Sequence, residues 1–196
     1  MKKFASNEYP ILEQLRERWS PRAFSNRPVP MESTKSLLES ARWAASCFNE
    51  QPWRFIIASV TQPVSFKIAL SCLNEWNRDW AASAPLIVFV FSKEFFENGK
   101  KNFHAPYDTG QAMANMTIQA TTLGLSVHQM AGILTDKICT SYKVPAGYIP
   151  ICAAAIGYQG DIGALNDDLR RKEVAPRTRK PLSDLVYADM WNEKAF

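Results

Sequence analysis

The sequence predicts one sheet-and-helix domain, of the α/β or α+β class, and three observations lead there. Its 196 residues suffice for one sizeable core, with no composition shift that would mark a second domain or a linker. Four runs rich in β-branched and aromatic residues, at 53–59, 85–91, 125–130 and 151–158, read as strands. The stretches between them carry apolar residues at helical spacing, so strands and helices are interspersed along the chain.

In chain order, Ile11, Leu12 and Leu15 have helical spacing before a polar stretch, and Pro28 and Pro30 then interrupt the chain. Leu37, Leu38, Ala41, Ala44 and Ala45 predict a second helix running into a polar loop, which ends at the strand 53–59. Pro63 opens a helix with Phe66, Leu70 and Leu73 on its buried face, because proline at a first helical turn forfeits no needed donor. The run 85–91 suits a central strand, and 93–106, without a clear period, is expected to be a loop or an irregular lid. A long helix follows over 107–123, with Ala112, Met113, Met116, Ala120 and Leu123 on one face and Gly124 to end it. A short strand at 125–130, a short helix at 135–142 ended by Pro145 and Gly147, and the strand 151–158 complete the core.

Composition excludes several classes. The net charge of +4 comes from 23 basic and 19 acidic residues dispersed along the chain, which gives no stripe for nucleic acid. Arg170-Arg171-Lys172 reads as solvated surface, with Asp167, Asp168, Glu173 and Asp184 as neighbours. The four cysteines, Cys47, Cys72, Cys139 and Cys152, lack C-x-x-C spacing, and only His104 and His128 could join them, so no metal site is expected. Dispersed thiols fit a reducing compartment. Lys2-Lys3 is followed by no apolar h-region, and the run 86–91 is too short to span a bilayer, so a cytoplasmic protein is expected.

Four segments carry candidate chemistry. Residues 46–55, Ser-Cys-Phe-Asn-Glu-Gln-Pro-Trp-Arg-Phe, place a polar loop against a buried strand. Pro52 should push Gln51 into an extended conformation and present the Asn49 and Gln51 amides, although ordinary helix-to-strand turn chemistry reads the same. Arg18-Trp19-Ser20-Pro21-Arg22 sets two guanidinium groups four apart, able to fork onto a phosphate or to sit at a solvated helix end. Pro176-Arg177-Thr178-Arg179-Lys180-Pro181 discourages helix, so Arg177 and Arg179 would share a face of an extended segment. The run 124–132 ends in small residues that let a ligand approach the backbone, while His128 within it reads as a locally satisfied histidine. There is no P-loop, no G-x-G-x-x-G and no G-x-S-x-G elbow.

Taken in order, these pieces resemble the nitroreductase family of flavoproteins across nearly the whole chain. The resemblance rests on Arg18-x-Ser20-x-Arg22, Ser46-x-x-Asn49-x-Gln51-Pro52-Trp53, Asp108-x-Gly110, Gly124-Leu125 with Gln129-Met130-Ala131-Gly132, Ala155-Ile156-Gly157-Tyr158, and Pro176-Arg177-x-Arg179-x-Pro181. It implies an α+β domain over residues 1–196, with a mixed, mostly antiparallel sheet flanked by helices and a C-terminal segment packing on a partner subunit. It further implies FMN bound non-covalently at a homodimer interface, and ping-pong transfer of a hydride from NAD(P)H to nitroaromatics, quinones or similar acceptors. By position, Arg18 and Arg179, with Arg177 alongside, would hold the FMN phosphate. Arg22 would lie at the pyrimidine edge, with Ser20 and the Trp19 backbone on the same side. Ser46, Cys47 and Asn49 would reach the flavin of the partner, Met130, Ala131 and Gly132 would face N5 and the C4 oxygen, and Asn77 would touch the ring edge. No residue is assigned as catalytic, because the cofactor performs the redox chemistry and the acceptor can take its proton from solvent. Two departures bear on substrate range: Ala45-Ser46-Cys47 stands where the family has Pro-Ser-Ser, and Ile133-Leu134 where many relatives have Phe-Asp. A flavoenzyme with one narrow substrate, or a flavin-binding sensor, are the competing readings. The apolar tail Leu182, Leu185, Val186, Tyr187 and Trp191 favours a partner subunit, since a solvated terminus would not need it.

Overall fold

A computed structural model describes residues 3–196; Met1 and Lys2, the latter part of the basic start noted above, lie outside them. The seven helices of the described residues are α1 (Glu13–Glu17), α2 (Met31–Arg42), α3 (Pro63–Ser71), α4 (Glu75–Ala81), α5 (Ala105–Thr122), α6 (Thr135–Tyr142) and α7 (Asp167–Val174). Four strands, β1 (Trp53–Ser59), β2 (Leu86–Lys93), β3 (Ser126–Met130) and β4 (Tyr148–Gly157), form one sheet in the order β1-β2-β4-β3. All three pairings are antiparallel, so β1 and β3 are the two edges.

The sheet is covered on both faces, which explains why β2 reads as an unbroken apolar run rather than an alternating one. Ile87, Phe89 and Phe91 point to a core completed by Phe66 and Ala69 of α3, Trp80 of α4 and Ile138 of α6. Leu86, Val88 and Val90 point the other way, to Leu37 and Ala41 of α2 and to Ala112, Met113, Met116 and Ala120 of α5. Ala153, Ala154 and Ala155 on β4 leave room for both layers. Full burial of a side chain such as Phe89 or Met116 contributes about 1.5–3 kcal/mol, so these two layers dominate stability.

Two helices absent from the sequence reading are α4 and α7. Both are short and begin at an asparagine N-cap: Asn74 accepts from the Asn77 N–H at 2.9 Å, and Asn166 from the Leu169 N–H at 2.9 Å. The expected second helix stops at Arg42 rather than including Ala44 and Ala45. The irregular stretch 93–106 folds back on itself through a Phe95–Lys101 bridge before α5 begins. Among the described residues no helix is long and apolar enough to cross a membrane, and no group of three or more His, Cys, Asp or Glu could hold a metal.

Candidate functional site

The segment after α1, residues 18–25, runs as a strap along the β3 edge. Ser25 N–H donates to the Tyr158 carbonyl and Gly160 N–H to the Ala23 carbonyl, each at 2.9 Å, so the strap is laced to the chain just beyond β4. His128 on β3 holds it from below: Nδ1–H donates to the Pro21 carbonyl at 2.9 Å, and the ring lies 4.4 Å from that of Trp80. Burial pushes the His128 pKa down to about 4, against the opposing pull of that carbonyl, so the ring is neutral near pH 7. His128 is thus a strut, as its local-satisfaction reading expected.

The strap brings Arg18 to a cavity of about 710 Å³ that Arg177, Thr178, Arg179 and Lys180 also line. The two basic clusters from opposite ends of the chain therefore meet. Burial, and then the Arg177 and Arg179 guanidinium groups, push the Arg18 pKa below its ordinary value. Like charges gathered in this way suit an anion. Their roles differ, however. Arg177 donates from Nη1 to the carbonyls of Lys3 at 2.6 Å and Arg16 at 2.9 Å, which makes it a brace that fixes the cavity wall. Among the described residues, Arg18 reaches only Ser20 Oγ, at 3.3 Å, and Arg179 only its neighbour's carbonyl on Thr178, at 2.8 Å. Those two keep most of their donors for a ligand.

Further along the strap, the Arg22 guanidinium leans on Trp76 and Trp80, 5.3 and 6.0 Å from their ring centres. Its Nε is buried without a partner, as is Nε1 of Trp19. A buried guanidinium N–H without an acceptor is costly, and it marks a place where a polar ligand atom would be accommodated.

Gly132 and Asn77 also come together. Asn77 is buried and donates from Nδ2 to the Gly132 carbonyl at 3.1 Å, while the Asn74 N–H donates to the same oxygen at 3.1 Å. A Cβ on Gly132 would stand 2.3 Å from Asn74 Nδ2 and 2.5 Å from Asn77 Nδ2, so any larger residue must displace one of these side chains. Asn77 therefore shapes the loop that follows β3. Ala131 is exposed on that loop, and the Met130 side chain is core, leaving only its backbone to face a ligand.

The loop holding Ser46, Cys47 and Asn49 lies elsewhere. It precedes β1, at the opposite edge of the sheet from the strap. Cys47 N–H donates to Asp108 Oδ2 at 3.0 Å, and Lys93 pairs with Glu50 at 3.0 Å, so the start of α5 and the end of β2 anchor it. Gln51 is not extended: its φ is 51°, because its N–H turns back to Ser46 Oγ at 3.0 Å and its side-chain amide to the Asn49 carbonyl at 3.0 Å. The Gln51 amide is consequently not presented as expected. Phe48 and Asn49 also have positive φ, and Phe48 is 91% exposed. The register places Ala58, Ile87 and Ala155 in line with His128. Trp53 is then about 14 Å away across three strand spacings and about 17 Å away along five residues.

Glu173, read above as one of several surface acids, is buried and ties α7 to the strap. Lys3 donates to the carbonyls of Glu173, at 2.7 Å, and Ala175. No sequence signal separated Glu173 from the exposed Asp167 and Asp168.

Comparison with known proteins gives this geometry a lineage. A solved structure described as an oxidoreductase containing FMN superposes with a TM-score of 0.91 at 35% identity, over 96% of each chain. A nitroreductase family protein from Clostridium difficile superposes with a TM-score of 0.72 at 26% identity, covering 93% of this chain and all of that one. In sequence, an iodotyrosine deiodinase of Haliscomenobacter hydrossis is 24% identical over 79% of this chain and 81% of its own. Protein DrgA of Synechocystis is 28% identical over 79% of this chain and 84% of its own. The profile of the nitroreductase family matches residues 15–62 and 61–158, a span that takes in the strap, the loop before β1 and all four strands; the chain belongs to the nitroreductase family.

Proposed function

We propose that the protein is an FMN-dependent oxidoreductase, a homodimer that passes a hydride from NAD(P)H to nitroaromatic, quinone or similar aromatic acceptors. The observation that carries this reading is the meeting of Arg18 and Arg179 in one cavity, with Arg22 further along the same strap holding a buried, partnerless Nε. The FMN in the relative of 35% identity supports the choice of anion. Bound FMN would supply the redox chemistry, a ring able to take up a hydride and give its electrons to an acceptor.

The chain's own residues fit that cofactor. Arg18 and Arg179 would bind the phosphate, and Arg177 would hold the wall between them. Arg22 and Ser20 would meet the pyrimidine side, and the backbone after Met130, kept open by Gly132, would face the opposite edge. Ser46, Cys47 and Asn49 lie on the far side of the sheet from these groups, so a second copy would have to deliver them. The exposed tail supports a dimer: Leu185, Met190 and Trp191, the last 81% exposed, leave most of their apolar surface open. An acceptor would take its proton from solvent, since no side chain here is assigned as a general acid.

The test is a visible spectrum of the purified protein, followed by oxidation of NADH and of NADPH with a quinone or a nitroaromatic as acceptor. Bound flavin with turnover supports the reading, and a colourless protein that does not take up added FMN overturns it. The deiodinase relatives favour a second reading, a reductive enzyme for one halogenated aromatic substrate; turnover of an iodotyrosine far above that of quinones would select it.

A further inference from the structure

Glu173 is 1% exposed, and its carboxylate is bound to a segment about 150 positions away in the chain. Oε1 accepts from the backbone N–H of Arg22 at 2.8 Å and of Ala23 at 3.1 Å, and Oε2 from the Arg22 N–H at 3.1 Å. Oε2 also stands 3.9 Å from Nη1 of the Arg22 side chain. A carboxylate without solvent is tolerated only when paired and hydrogen-bonded, and well-packed apolar residues would stabilise a fold as well. Its presence here therefore suggests a task that a neutral side chain could not perform.

The neighbourhood indicates the task. At 3.9 Å the ion pair orients the Arg22 guanidinium without satisfying it, since Nε remains buried and partnerless. Burial pushes the Arg22 pKa down, and Glu173 works against that shift, so the carboxylate helps keep the guanidinium charged. On the other side, Lys3 closes the end of α7 through the Glu173 and Ala175 carbonyls and lies 4.8 Å from the Trp19 ring centre. Arg177, four positions after Glu173, is fastened to Lys3 and Arg16. Glu173 is thus the joint at which the Arg22 strap and the segment bearing Arg177 and Arg179 become one body.

We propose that Glu173 is a positioning residue for the cofactor site: it fixes the strap that aims Arg22 and, by partly neutralising that guanidinium, sets how much positive charge the pyrimidine end of the flavin meets. The proposal rests on the reading above in which Arg22 faces the cofactor. Removing the carboxylate charge leaves Arg22 uncompensated, which favours the more negative, reduced form of the cofactor.

The experiment measures the flavin midpoint potential and the FMN dissociation constant in Glu173→Gln, Arg22→Ala and the double variant, each as the FMN-loaded full chain. Glu173→Gln keeps the shape and one acceptor oxygen while removing the charge. The expected result is a positive shift of about 30 mV, a tenfold change in relative affinity for a two-electron couple, that vanishes in the Arg22→Ala background. A merely structural role would loosen FMN in every background without that dependence on Arg22. If Arg22→Ala shifts the potential and Glu173→Gln does not, the proposal is overturned while the cofactor reading stands. If Arg22→Ala leaves the potential unmoved, the placement of Arg22 at the flavin falls and the proposal with it, while FMN binding itself stands. Should Glu173→Gln not fold, Glu173→Asp, which withdraws the charge by one methylene, takes its place: a positive shift supports the proposal and an unchanged potential overturns it.

Discussion

The strap at residues 18–25 and the loop at 46–51 both carry motif residues, yet they are built on opposite terms. The strap is irregular but closed. His128 bonds its Pro21 carbonyl, Glu173 takes two of its N–H groups, and Tyr158 and Gly160 lace its far end. The loop has anchors at Asp108 and Lys93, but it also holds three non-glycine residues at positive φ and leaves most of Phe48 exposed. A segment satisfied by its own chain can bind a ligand by itself. A segment held in a strained shape with a large apolar side chain in water fits the dimer reading, in which a second copy would cover it.

That contrast can be broken or sharpened by measurement. The largest effect is expected from truncation at Pro181, which removes the exposed tail: under the dimer reading, light scattering should report a monomer and FMN retention should be lost. A truncated monomer that keeps FMN and turnover would show that the strap side suffices alone. Next, Arg18→Ala and Arg179→Ala should each weaken FMN binding about tenfold or more in equilibrium dialysis, from a lost charge-assisted bond of about 1.5–3 kcal/mol. Arg177→Ala should instead lower the thermal stability of the apoprotein, because its donors already serve backbone carbonyls.

Gly132→Ala comes third, with about 1–3 kcal/mol of destabilisation by denaturant titration, since the new methyl must displace Asn74 or the buried Asn77. A fourth prediction concerns pH. His128 has a folded pKa of about 4, below the ordinary 6.5, so the unfolded chain binds more protons between those values. Stability that is fully present above about pH 6.5 should then fall as the pH drops towards 4, by on the order of 2 kcal/mol once the partial exposure of the ring is discounted. His128→Gln should flatten that slope in urea titrations across the same interval. The smallest effect is on the loop: Phe48→Gly relieves a left-handed residue and should stabilise the free chain by about 0.5 kcal/mol. A loss of stability there would mean that the Phe48–Phe96 contact, 6.1 Å between ring centres, already seats the loop within one chain.

Much of this was legible because it is local. The strands announced themselves through β-branched runs. Pro63 and Gly124 stand where the sequence placed them, the first opening α3 and the second, at φ 68°, just after α5. The short helices α4 and α7 were hidden because their asparagine caps resemble ordinary loop residues until the following turn is known to form. Gln51 went against the preference imposed by Pro52 because two hydrogen bonds to Ser46 and Asn49 outweigh a backbone bias of modest size.

The sequence by itself determined the layered helix-and-sheet class, the two basic clusters and the family motifs, since each depends on residue type and on spacing within a short window. Only the tertiary structure decided that Arg18 and Arg179 share a cavity, that Arg177 is a brace, and that Glu173 is buried while Asp167 and Asp168 are not. It also decided that the loop before β1 lies at the far edge of the sheet from the strap. The physical reason is common to all four. Whether a charged side chain meets water, a carbonyl or another charge depends on contacts between segments distant along the chain, and no periodicity within one segment records what the other brings.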